Sequence, residues 1–295
     1  MKIACKGLLM LLIVILITAF GFRRIDFRNG MYKNVCKDFR NDVLVYFIFV
    51  DSKVTAPWTE FDIRTTIDSM KVAVEWLESQ ASKNNIELNI LLGYYIGLES
   101  STITKNLPEE TVIGSVGNRG NISKGLSELN IWADNIARRV GSEVHIPEKD
   151  GIPEIKNPRN KERLAAYLRD QRQVEGVAIL FMVNNYYRSD ISIPVNHMGS
   201  DDVEFAIVSY KYPAIIAQNI LNLFGAADLS KTVYRRDEQK IKLASEWFPD
   251  DIMQDVYARN INELGIGPLT RYLIGWSKEL DTKYDVLFTD KIINF

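Results

Sequence analysis

"PAIIAQNILNLFGAAD", residues 213–228, predicts a short helix that ends in a sharp bend. Gln218 and Asn222 are four residues apart, so they project from the same face of that helix. Gly225 suits the left-handed backbone position that follows a last helical turn. Asp228 comes three residues after this glycine, and the bend can therefore bring it back toward the two amides. Such a geometry places three side chains around one point, as in a tetrahedral metal site.

The rest of the chain predicts an α/β fold built around one sheet. Apolar runs rich in β-branched and aromatic residues predict strands at 43–50, 86–97, 176–187 and 204–210. Three- and four-residue spacing of apolar side chains predicts helices over 59–85, capped near Thr59, over 126–141, ended by Gly141, and over 160–173. Residues 188–203 are predicted to form a loop. The order of these elements is typical of helices packed on a central sheet.

Charge and cysteine content exclude several classes of protein. The chain has 36 Lys and Arg residues against 38 Asp and Glu residues, without a basic block, so no nucleic-acid partner is expected. Its two cysteines are Cys5, ahead of the apolar N-terminal run, and Cys36 after it. The folded part therefore has neither an internal disulfide nor a Cys-pair zinc motif.

The N-terminus predicts a membrane anchor. Residues 7–22 are uncharged and almost wholly apolar, and no small-residue cleavage site follows them. We therefore expect a transmembrane or signal-anchor segment at 1–24, a connector at 25–41 and one folded domain at 42–295. Basic residues that follow the apolar run favour a cytoplasmic domain, whereas the short basic N-terminus favours export. We expect a membrane-anchored domain on the extracytoplasmic side.

The 213–228 stretch resembles the active-site helix of zinc metallopeptidases of the metzincin kind. Their motif is His-Glu-x-x-His-x-x-Gly-x-x-His, with Asp as the last ligand in the snapalysin-like subset. Gln218 takes the place of the first His, Asn219 that of the catalytic Glu, and Asn222 that of the second His. Gly225 matches the motif glycine, and Asp228 matches the last ligand in its Asp form.

The flanking sequence extends this resemblance. "EFAIVSY", residues 204–210, resembles the edge strand that lines the substrate cleft of that family. "EWFPDDIMQ" places Met253 in what resembles the methionine turn beneath the metal, and "NELGIGPLTRYLIGW" resembles the closing C-terminal helix. The resemblance implies a zincin-like (metzincin) mixed sheet with helices on both sides, preceded by the N-terminal membrane segment.

The departures from the motif imply an inactive member of the family. Carboxamide oxygens are poor zinc ligands beside imidazole, and the asparagine at 219 cannot act as the general base. We therefore expect no metal, no cofactor and no peptidase activity, with Gln218, Asn219, Asn222, Asp228 and Met253 as vestigial positions. The resulting hypothesis is a membrane-tethered pseudopeptidase that binds a peptide or protein ligand without cutting it.

Two other functions stay open on the sequence alone. An active hydrolase, or a calcium site, can be imagined around His197 and its neighbouring carboxylates Asp201, Asp202 and Glu204. Alternatively, the chain is a structural envelope protein on a generic α/β scaffold, in which residues 218, 222 and 228 do not converge.

Overall fold

A computed structural model describes residues 35–36, 38–51, 55–97, 103–104, 122–146, 155, 157–184, 190–196, 203–232 and 237–288. The strands are β1 Asn41–Asp51, β2 Leu88–Tyr95, β3 Ile103–Thr104, β4 Gly176–Val183, β5 Ser192–Val195 and β6 Phe205–Val208. The helices are α1 Glu60–Lys83, α2 Ile122–Glu143, α3 Asn160–Arg172, α4 Pro213–Leu223, α5 Glu238–Trp247 and α6 Pro268–Leu273. Two 3₁₀ helices cover Ile261–Glu263 and Thr282–Phe288.

The strands form one mixed sheet in the order β2-β1-β4-β6-β5, with β3 paired to the end of β1. Every pairing is parallel except that of β5 with β6, which is antiparallel. Helix α1 connects β1 to its parallel neighbour β2, and α2 and α3 lie between β3 and β4 in the chain, since parallel pairing requires a long crossover. The short β5 is the last strand at its end of the described sheet.

Both faces of the sheet are covered by helices. Side chains of β1 alternate between two cores, because successive residues of a strand point to opposite faces. One core combines Val43, Val45, Phe47 and Phe49 with residues of α1 and α4. The other combines Leu44, Tyr46, Ile48 and Val50 with residues of α2 and α3. The expected α/β class, with helices on both sides of a mixed sheet, is confirmed.

Most of the helix and strand positions expected from the sequence are confirmed. Thr59 caps α1, since its hydroxyl accepts from the backbone N–H of Asp62 and the Asp62 carboxyl faces the Thr59 N–H in return. Gly141, however, does not end α2, which continues to Glu143. A Cβ at Gly141 would lie 3.2 Å from Ile146 Cδ1, so the glycine makes room for the chain that folds back over this helix.

Two expectations for residues 188–210 are wrong. The segment read as a loop over 188–203 contains the strand β5, and "EFAIVSY" forms the interior strand β6 and not the edge. β5 escapes the sequence pattern because it has only four residues, one of which is Pro194. Proline is tolerated at the edge of a sheet, where its missing N–H breaks no ladder hydrogen bond.

The N-terminal membrane segment expected at 1–24 lies outside the described residues. None of the described helices combines the length and the apolar composition needed to cross a membrane. Within the expected connector at 25–41, Val35, Cys36 and Phe39 are buried, and Val35 and Cys36 bond Val177 of β4. The backbone N–H of Phe39 donates to Ile274 O at 3.0 Å, which ties this segment to the C-terminal part of the fold.

A buried lysine joins α2 to α3. Lys161 is 0% exposed, and its ammonium group donates to Asn130 Oδ1 at 3.1 Å and to Asp134 Oδ1 at 3.2 Å. The same ammonium lies 5.4 Å from the ring centroid of Phe205, on β6. A charge buried in this way is tolerated only because each of these groups compensates for the water it has lost.

We expect Lys161→Ala to lower the free energy of unfolding by about 3 kcal/mol, because it leaves Asp134 beside a buried void without its cation. Urea unfolding of the full-length chain in detergent, followed by tryptophan fluorescence, measures this change. Lys71→Ala removes an exposed i,i+3 ion pair with Asp68 and serves as the control. Its cost should stay under about 0.5 kcal/mol. Equal costs for the two substitutions would contradict the role assigned to Lys161.

Candidate functional site

Helix α4 begins and ends where the sequence predicts. Pro213 occupies its first turn, and the chain leaves it through Phe224 and Gly225, whose φ of 98° is the left-handed conformation that favours glycine. Within the helix only Pro213 and Gln218 are not buried. A helix so completely enclosed by β5, β6 and α1 holds its polar side chains in fixed positions.

Gln218 binds the turn that contains Met253. Its amide nitrogen donates to Ile252 O at 3.0 Å and to Gln254 O at 2.8 Å, so its two hydrogen bonds bracket the methionine. Met253 is 0% exposed, and its carbonyl oxygen accepts from the backbone N–H of Leu229 at 2.8 Å. The helix, the segment after Gly225 and this turn are therefore held together at one point.

Asn222 and Asp228 meet across the bend. Asn222 Nδ2 donates to Asp228 Oδ1 at 3.2 Å, as expected for an aspartate that folds back after the glycine. The end of the helix is also capped by Asn196, whose amide donates to Asn222 O at 2.9 Å and to Leu223 O at 3.1 Å. These contacts fix the position of Asp228 relative to α4.

Asn219 points to a different place from the other two amides. It is 0% exposed, and its Nδ2 donates to Ser192 Oγ of β5 at 2.8 Å and to Ile215 O at 2.8 Å. Asn219 is therefore directed at β5, whereas Asn222 bonds Asp228. A helix turns by 100° per residue, which directs position 219 toward the edge strand.

Gln218, Asn222 and Asp228 line one pocket of about 370 Å³. One wall is formed by β5 and the residues just before it, and helix α4 contributes Ile215 with the two amides. Tyr210 and residues of segments 228–232 and 254–257 complete the lining. The volume lies in the range of small-ligand and peptide side-chain sites.

Asp251 holds together the turn beside the pocket. The sequence pattern did not predict this role. Its carboxylate accepts from the backbone N–H of Met253 at 2.8 Å, from the Gly267 N–H at 2.8 Å and from Thr270 Oγ1 at 2.9 Å. Burial raises the pKa of this carboxyl, while the Met253 and Gly267 bonds lower it. Two of its three partners are at least 16 residues away in the sequence, so no local pattern identifies it.

The alternative site around His197 is supported by none of the described residues. His197, Asp201 and Asp202 lie outside them. Glu204 is 0% exposed and accepts from the backbone N–H groups of Val35 and Cys36, both at 3.3 Å, and it does not line the pocket. Within the described ranges, no three His, Cys, Asp or Glu side chains converge in a way that could hold a metal ion.

Cys36 lacks the surroundings of a catalytic thiol. It is 1% exposed, and its Sγ donates to Val177 O at 3.2 Å. Burial raises the pKa of the thiol well beyond its ordinary value, and the adjacent Glu204 raises it further. Nucleophilic cysteines instead need a lowered pKa and an accessible sulfur.

No family model matches the chain, and no curated protein matches it either.

We expect Asp251→Ala to destabilise the fold by about 3 kcal/mol, because three donors lose a buried carboxylate acceptor. Asp250→Ala is the matched control, since the neighbouring carboxylate is 70% exposed and bonds only to Arg259 among the described residues. Its effect should be no more than about 1 kcal/mol. Thermal unfolding with near-ultraviolet circular dichroism compares the two. If Asp251→Ala cost no more than Asp250→Ala, the organising role of Asp251 would be wrong.

Proposed function

We propose that this chain is a membrane-anchored pseudo-metallopeptidase of the metzincin type, which binds a peptide or protein and does not cut it. One observation carries the proposal: Gln218, Asn222 and Asp228 line a single pocket, and Gln218 binds the backbone on either side of Met253. These are the positions at which the resembled motif has its metal ligands and its methionine turn. A helix unrelated to that motif would not be expected to bring these three side chains and the Met253 turn together.

The sheet supports the same proposal. A mixed sheet with helices on both sides is what a zincin-like fold requires, and its edge strand β5 forms a wall of the pocket. The edge strand expected from the resemblance thus has a counterpart, although it is residues 192–195 and not 204–210. The zincin-like assignment accordingly forms part of the proposal.

The side chains present do not fit a catalytic zinc ion. Zinc sites in proteins use imidazole, thiolate or carboxylate ligands, and of the three pocket positions only Asp228 supplies one. The amide nitrogen of Gln218 is committed to two carbonyl oxygens, and that of Asn222 to Asp228. Asn219 carries no base and is enclosed by β5. The pocket is therefore proposed to recognise ligands through hydrogen bonds and shape.

Strand addition along β5 is the proposed mode of binding. The Ser209 N–H donates to Ile191 O at 2.8 Å. The backbone N–H and C=O groups of residues 191, 193 and 195 are therefore the ones that point toward β6. The backbone N–H and C=O of Ser192 then point away from β6, toward the side on which a peptide would lie. Pro194 has no N–H to contribute, so Ser192 supplies the backbone donor of this strand to a bound peptide.

The anchor and its orientation belong to the proposal as well. The apolar run at 7–22 supports attachment to a membrane, and the short basic N-terminus supports an extracytoplasmic domain. If the domain is extracytoplasmic, protease added to cells whose outer envelope has been removed, but whose cytoplasmic membrane is intact, should cleave it. Protection of the domain until the cells are lysed would place it in the cytoplasm.

We expect the purified wild-type chain to bind no stoichiometric zinc and Gln218→His/Asn219→Glu/Asn222→His to acquire a zinc site. The triple substitution supplies two imidazoles beside Asp228, which gives three ligands of the type that zinc prefers. Elemental analysis after dialysis against zinc, and the visible spectrum of the cobalt-substituted protein, measure the gain.

Adding Asp228→Asn to the triple substitution is the control, since it removes the third ligand and keeps the size of the side chain. Zinc uptake should then fall sharply. Stoichiometric zinc in the wild-type chain would refute the pseudoenzyme, and a triple variant that folds but takes up no metal would refute the assigned geometry.

A further inference from the structure

Three tyrosines form a partly exposed aromatic cluster at the mouth of the pocket. The ring centroids of Tyr210 and Tyr257 are 5.9 Å apart, and those of Tyr212 and Tyr257 are 5.7 Å apart, both in edge-to-face contact. Tyr257 is 56% exposed and Tyr212 is 43% exposed. Tyr210 and Tyr257 also line the pocket, so the cluster and the cavity form one continuous surface.

The cluster lies at the opposite end of the pocket from Asp228. Strand β5 runs alongside α4 in the same direction, since Ser192 contacts Asn219 and Asn196 contacts the end of the helix at Asn222. Residues that precede β5 therefore lie toward the start of α4, where Tyr210 is found. A peptide laid along β5 would span both ends.

Carboxylates give the tyrosine end a negative charge. Asp190 and Asp255 line the pocket there, and Asp190 Oδ1 accepts from Ser209 Oγ at 3.0 Å, next to Tyr210 in the chain. Burial raises the pKa of Tyr210, and both of these aspartates raise it further. The phenol thus stays neutral, and its ring presents an electron-rich face.

Lys211, which lies between two of these tyrosines in the sequence, contacts Asp62 and Trp58. Lys211 Nζ lies 2.9 Å from Asp62 Oδ1 and 5.4 Å from the ring centroid of Trp58. Among the described residues that line the pocket, three aspartates face a single lysine, Lys231. The field in the pocket therefore favours a positively charged ligand group.

We infer that the tyrosine end of the pocket binds an arginine or lysine side chain of an extended basic peptide. Aromatic faces and carboxylates together are the surroundings that attract guanidinium and ammonium groups. An acidic side chain is repelled by Asp190 and Asp255, and an apolar one gains nothing from their charge. This inference rests on the proposed function, because it names the ligand class of the same pocket.

Peptide pairs that differ only in charge test the inference. The full-length chain in detergent is titrated, by fluorescence polarisation, into labelled decapeptides that share a central arginine and vary in their flanks. Each peptide is paired with one that has citrulline, a neutral isostere of arginine, at the centre. The arginine peptides should bind about tenfold more tightly, and added salt should reduce the difference.

Substitutions locate the effect. Asp190→Asn/Asp255→Asn keeps the size of both side chains and should lower the affinity for arginine peptides to that for citrulline peptides. Tyr257→Ala, at an exposed position, should reduce the preference as well. Asp68→Asn, an exposed carboxylate on α1, is the control and should leave the preference intact.

The outcomes separate the inference from the proposed function. Equal affinity for arginine and citrulline peptides overturns the basic specificity and leaves a peptide-binding cleft. A preference that survives Asp190→Asn/Asp255→Asn overturns the assigned location. If no peptide of either series binds, both the inference and the peptide-binding function are wrong.

Discussion

The amide of Gln218 is the contact on which the geometry of the site depends. A carboxamide nitrogen carries two N–H donors, and here they satisfy two carbonyl oxygens on either side of one residue, at 3.0 Å and 2.8 Å. A neutral imidazole has one N–H, and a carboxylate has none. Glutamine at this position therefore fastens the helix to the turn directly. This gives a physical reason for an amide where the resembled motif has a metal ligand.

The other amides stabilise the surroundings of the pocket in separate ways. Asn222 fixes the returning aspartate, and Asn219 fixes the edge strand through Ser192. In a metal site of this geometry, the ion itself would join the helix to the segment after the bend. Hydrogen bonds join the same segments here, so the cleft keeps its shape without requiring a cation.

Much of the fold was predictable from sequence because its central strands are long apolar runs, its long helices repeat apolar side chains at three- and four-residue steps, and Thr59 caps α1. The strand β5 was not predictable. Its four residues include a proline and are too few to show the polar–apolar alternation that distinguishes a strand from a loop. Within the site, the convergence of Gln218, Asn222 and Asp228 followed from helical spacing and one glycine. The partners of Asp251 and Glu204 did not, because the bonds join residues 16 and 169 positions apart.

The buried carboxylate of Glu204 limits the length of chain that could connect the fold to the proposed membrane segment. By holding the N–H groups of Val35 and Cys36, it fastens the chain to the sheet immediately before β6, which flanks the edge strand. If the proposed membrane segment at 1–24 tethers the domain, residues 25–34 connect that segment to Val35. A chain of ten residues spans at most about 35 Å. The tethered cleft would then reach only partners close to the bilayer surface.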